Sequence, residues 1–182
     1  MTVPKPASVA PRAPTFVVPV LVLALGFTGC TGAPASTPPI SPGATEAPRE
    51  VNIIARDYSF APSPVDLVPG ETILLHVING GLVVHEAVIG DMTVQDAWEA
   101  AEAEAADPPP GPTPVVSVPP DVAGLRVVVE SGQRVDVTWT VPPSADPATP
   151  WFVGCHIPGH WELGMVVPVR FVGGDGRPLP AG

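Results

Sequence analysis

Gly154-Cys155-His156-Ile157-Pro158-Gly159-His160-Trp161-Glu162-Leu163-Gly164-Met165 stands near the carboxyl end of this 182-residue chain. It sets a thiol, an imidazole and a thioether in the order C-x4-H-x4-M. β-Branched runs flank it at 151–154 and 166–172, so the three side chains sit on one loop joining two strands. Soft sulfur suits a reduced metal, whereas imidazole nitrogen suits both states of a metal that cycles between Cu(I) and Cu(II). A trigonal His₂Cys plane with a weak axial Met needs one more histidine than the loop holds.

His85 is the candidate, within the apolar run Val83-Val84-His85-Glu86-Ala87-Val88-Ile89-Gly90, about 70 residues upstream. Its competitor is His76, in Leu74-Leu75-His76-Val77; His85 is favoured because apolar residues crowd its flank. Taken singly, Cys155 reads as a buried structural thiol and Met165 as a core residue. Their spacing to His160 argues for ligands. His156 adjoins Cys155, and on extended backbone its side chain points away from the metal. It is read as a neighbour of the site or a surface residue at an electron exit. Trp151 and Trp161 are expected to pack around the site.

Further outward, short β-branched runs recur at 51–54, 65–68, 72–78, 83–89, 125–130 and 134–141, with turn signals at Pro69-Gly70 and Ser131-Gly132. Val135, Val137 and Trp139 alternate with Asp136, Thr138 and Thr140. About eight such strands predict an all-β antiparallel sandwich or barrel. The exception is 93–106 (TVQDAWEAAEAEAA), a strong helix former. Thr93 and Asp96 have capping-box spacing, and Val94, Trp98, Ala101 and Ala105 form an apolar stripe. Asp107 and three prolines stop it, which predicts a helical insertion on the outside of the sandwich.

At the other end, Lys5 and Arg12 precede an uncharged run, 15–29, that is too short to span a bilayer. This reads as a signal peptide over 1–29. Phe27-Thr28-Gly29-Cys30 resembles a bacterial lipobox, with Phe27 in place of the usual leucine, which makes Cys30 the expected lipidation site. Acyl chains contribute about 0.8 kcal/mol per buried CH₂ to such anchoring. Plain secretion is the other reading. A Cys30–Cys155 disulfide is not expected, since each cysteine has chemistry of its own. Residues 30–50, rich in Pro, Ala, Ser and Thr, read as a tether spanning roughly 25 to 60 Å. The folded domain is placed at 51–174 and a flexible tail at 175–182.

Proline (28) and glycine (18) are abundant and charged residues are 14%, as befits many turns rather than a charge-rich disordered chain. Eight basic against 18 acidic residues give −10. Without 1–29 the count is six basic and 18 acidic, or −12. No basic stripe exists, so no nucleic-acid partner is expected.

One histidine on an early strand with Cys, His and Met on a late loop resembles the cupredoxin family, over 51–172. The loop spacing is most similar to auracyanin and rusticyanin-like members. The resemblance implies a Greek-key β-sandwich holding one type 1 copper per chain, with Cys155, His160 and Met165 as ligands by motif and His85 by strand context. Two departures are visible: a long excursion at 91–124, and Glu86 where Asn or Asp often follows the histidine. The implied function is single-electron shuttling with a membrane or periplasmic redox partner, by an exported monomer on a lipid anchor or free outside the cytoplasm. Copper carriage or storage is the alternative. Enzymatic readings fail on composition. A multicopper oxidase needs His-x-His pairs, and this chain has four histidines in all, with Gly154 before the cysteine. A dinuclear copper site needs a second loop cysteine, and copper nitrite reductase a second domain.

Overall fold

Alternation along the chain builds two facing sheets. In the computed structural model, which describes residues 38–106 and 116–181, β1 (Arg49–Arg56) turns Val51, Ile53 and Ala55 inward and its other residues outward. It lies between β2 (Ser59–Ala61) and β4 (Thr72–Asn79), and β7 (Arg134–Thr140) completes a sheet ordered β2-β1-β4-β7. The second sheet has the order β3-β9-β8-β5-β6, from β3 (Val65–Leu67), β9 (Val166–Phe171), β8 (Trp151–Gly154), β5 (His85–Asp91) and β6 (Leu125–Val129).

All eight expected runs are strands; β2, only three residues long, was not foreseen. Nor is the sandwich wholly antiparallel. The chain leaves the first sheet after β2, enters the second at β3 and returns as β4 beside β1. The pairs β1–β4 and β3–β9 are therefore parallel. Both foreseen turns form. Gly70 and Gly132 take φ of 82° and 72°, a region natural only to glycine. The Glu71 and Gln133 amides close these turns onto the Val68 and Glu130 carbonyls.

Ile53, Leu67, Ile73, Leu75 and Ile89 are fully buried between the sheets. Each contributes about 1.5–3 kcal/mol relative to exposure. Strand β5 is buried at every residue from His85 to Gly90, because the core covers one face and a helix, α1 (Met92–Ala106), covers the other.

The insertion is helical as expected, but its cap and inner face differ. Asp91 caps it, accepting the Val94 amide at 3.1 Å, rather than Thr93 with Asp96. Its buried residues are Gln95, Trp98 and Glu102, not the stripe of Val94, Ala101 and Ala105. Inward-facing polar groups are admissible here because each has a partner (below).

The domain also extends beyond 51–174. The Ile40 amide donates to Gly174 (3.0 Å) and the Thr72 amide to Gly43 (2.9 Å), so 40–50 lies along the domain instead of forming tether. The expected tail returns instead: Val172 pairs with Pro178, and the Leu179 amide donates to Phe171 at 2.9 Å. The expected signal peptide, Cys30, the first part of the expected tether and the residues expected to stop the helix lie outside the described residues.

Candidate metal centre

The pairing of β5 with β8 brings an early strand and a late loop to one end of the second sheet. Val88 lies opposite Gly154, so His85 at the start of β5 and Cys155 just past β8 project beyond the same edge. The loop 155–165 is closed at its base by Cys155 N–H to Met165 O (3.1 Å) and Met165 N–H to His160 O (3.1 Å). Gly164 turns the chain at φ 90°, where a side chain would be strained.

Three donor atoms converge there. Nδ1 of His160 lies 3.3 Å from Nδ1 of His85 and 3.2 Å from Cys155 Sγ, and all three atoms lie within 4.8 Å of one another. All three residues are buried, and Cys155 is a free thiol. Lone pairs this close repel unless a proton or a cation lies among them. Met165, fully buried at the end of the loop, is bonded through its backbone to both Cys155 and His160. His76 stands apart in the other sheet, its Nδ1 2.8 Å from Asp136 and 2.7 Å from Arg134.

Around the donors the groups fall on two sides. Towards the β1–β2 turn, His85 Nε2 meets Asp57 Oδ1 at 2.9 Å. The Asp57 carboxylate also accepts the Leu82 amide, which, more than His85, holds its pKa below the ordinary value. Tyr58, next along, stands edge-on to His160 with ring centroids 4.9 Å apart. Neither residue was foreseen, since the turn between β1 and a three-residue strand has no periodicity.

On the other side, Glu86 is fully buried. Its Oε1 accepts the His156 amide (3.0 Å) and its Oε2 meets Arg126 (2.5 Å). Arg126 in turn bonds Glu102 (2.5 Å) and lies over the Trp98 ring, 4.6 Å from its centroid. Burial, and then the Glu86 charge, push the Glu102 carboxyl up. His156 points away from the donors, as expected, but is buried rather than at the surface. Gln95 and Glu99 of α1 hold its two ring nitrogens at 2.8 and 2.7 Å, and Trp161 stacks on it at 4.9 Å. A Cβ at Gly154 would fall 2.5 Å from both Gln95 Oε1 and Trp161, so only glycine permits this packing. Trp151, at the far end of β8, packs on Phe171 instead of the site.

Burial pushes the Cys155 thiol up to about 11, although the backbone N–H groups of Glu86 and Ile157 draw it down. Burial, followed by the nearby His85, lowers the pKa of His160. A soft sulfur and two imidazole nitrogens in a buried cluster form a donor set for one copper ion.

Among solved structures, auracyanin B shares the fold with a TM-score of 0.54 at 23% identity, over 76% of this chain and all of that one. The fold is that of a cupredoxin. Auracyanin A from Chloroflexus aurantiacus gives 0.51 at 18% identity, over 69% of this chain and all of its own. The "Copper-resistant cuproprotein CopI" of Pseudomonas aeruginosa is 28% identical over 142 residues, covering 68% of this chain and 76% of its own length. No protein-family model matches the chain.

Proposed function

We propose that this chain is an extracytoplasmic, mononuclear type 1 copper protein that shuttles single electrons. His85, Cys155 and His160 would be its strong ligands and Met165 a weak one. The observation that carries the reading is the convergence of three buried donors within 4.8 Å. When bound, copper supplies a one-electron couple between Cu(I) and Cu(II). The chain's part is to keep the donors in place in both states. His85 and Cys155 are fixed at the edge of one sheet, and the hydrogen-bonded loop fixes His160 and Met165 relative to Cys155. Three strong ligands and one weak one would leave copper no open position for a substrate, which supports a non-enzymatic reading. The acidic chain would meet a redox partner through the small, transient interface typical of electron transfer, under about 1,200 Å². The leader and Cys30 support an exported, lipid-anchored protein.

Copper carriage is the second reading, favoured by the name of the Pseudomonas aeruginosa relative, a copper-resistant cuproprotein. Visible and EPR spectra of the copper-loaded full chain test the first reading. An intense thiolate-to-copper band with narrow parallel hyperfine splitting is expected, and Cys155→Ser should abolish the band. A colourless or ordinary tetragonal Cu(II) protein would overturn it. Carriage predicts that copper passes to an acceptor faster than the electron does, and stopped-flow mixing with a Cu(I) chelator and with a redox dye separates the two.

A further inference from the structure

His85 is the one donor that comes from outside the ligand loop, and its ring could rotate or change tautomer if nothing held it. Its Nε2 lies 2.9 Å from Asp57 Oδ1, and the His85 side chain is fully buried while that of Asp57 is partly exposed. The same carboxylate accepts the Leu82 amide at 3.0 and 2.9 Å through its two oxygens. Gly81 is packed so closely that a Cβ there would lie 2.3 Å from Asp57 Oδ1. Asp57 is thus clamped by the segment that leads into β5, with one oxygen aimed at the ring. Glu86, the neighbour in sequence, spends its carboxylate on His156 and Arg126.

We propose that Asp57 is a positioning residue of the copper centre: it fixes the His85 ring with Nδ1 facing Cys155 and His160, and its negative charge favours Cu(II) over Cu(I). The inference deepens the type 1 copper reading and rests on it. An imidazole that donates Nε2–H to a carboxylate keeps its Nδ1 lone pair free for a metal. A carboxylate in that position also makes the ring a more basic ligand. A neutral acceptor would orient the ring equally well. Only the anion distinguishes two metal states that differ by one positive charge.

The experiment uses the full chain as wild type, Asp57→Asn and Asp57→Ala. Asparagine keeps an acceptor oxygen and the means of holding Leu82 while removing the charge; alanine removes both. Asp57→Asn should keep copper and the type 1 spectrum. The ratio of Cu(II) to Cu(I) affinity should fall about tenfold, read as a rise in potential of about 59 mV for one electron. In the apo wild type, ¹⁵N NMR should find His85 protonated at Nε2, and Asp57→Ala should mix the tautomers. A wild type with a type 1 spectrum whose potential is untouched in Asp57→Asn overturns the charge role and leaves the copper reading standing. A wild type lacking that spectrum overturns the copper reading. The tautomer then still decides positioning, which an unchanged His85 signal in Asp57→Ala would refute.

Discussion

Burial holds the Cys155 thiol protonated up to about pH 11, against an ordinary value of 9.0, yet a metal takes it as the thiolate. Burial also lowers the pKa of the His160 imidazole, which favours the neutral ring that a metal takes. Copper binding near pH 7 should therefore release the Cys155 proton. Because the protonated form dominates below about 11, the apparent affinity should rise about tenfold per pH unit from neutrality and level off above that value. Calorimetry in two buffers of different ionisation enthalpy counts the proton, and a count of zero would mean the thiolate exists before the metal arrives. On the proposed reading, Met165→Leu should keep copper bound and raise the reduction potential, since a weak thioether ligand tunes it. Voltammetry reads that shift, and loss of copper would instead make Met165 a strong ligand. The closeness of Cys155 and His160 was legible because one short loop carries both. Asp57 was not, because it reaches His85 across 28 residues from a turn without pattern.

At the scale of elements, α1 shows what composition reveals and what it hides. Its Ala and Glu content announced a helix, and the helix formed. Apolar periodicity then misread the inner face, because α1 covers polar groups as well as apolar ones. Gln95 donates to the carbonyls of Val88, Gly90 and Phe152 and accepts from His156. Glu102 meets Arg126, and the Trp98 indole N–H donates to Ala123 O at 2.9 Å. Which side of a helix turns inward depends on such partners, and they come from elements distant in sequence. Gln95→Ala strips His156 Nε2 of its partner in a buried setting, at a cost of about 1–3 kcal/mol. Urea unfolding should show a lower midpoint at unchanged slope. An unchanged midpoint would mean that water replaces the amide without loss.

Across the whole molecule, the sandwich was legible because strands with one buried face repeat a two-residue period that needs no knowledge of partners. The domain's ends were not. Residues 30–50 hold no large apolar side chain but Ile40, and the attachment of 40–50 uses backbone hydrogen bonds and one arginine, which leave no trace in hydrophobic pattern. That arginine carries much of the energy. Arg49, at the head of β1, meets Glu71 through two nitrogens at 2.6 and 2.8 Å, and the Glu71 side chain is fully buried. Glu71 also accepts the Val68 amide at 2.8 Å, fixing the turn between β3 and β4. A chain trimmed to 51–174 keeps Glu71 and loses Arg49. An uncompensated buried carboxylate costs about 3–5 kcal/mol, and loss of the half-buried Leu179 about 1 kcal/mol more. Against a total stability of about 5–15 kcal/mol, the trimmed chain should be marginal. Guanidinium unfolding of 51–174 beside 38–181 should show a much lower midpoint, and Arg49→Ala in the longer chain should reproduce most of the difference. If the two lengths unfold together, the pairing of Arg49 with Glu71 is not what holds 40–50 to the domain.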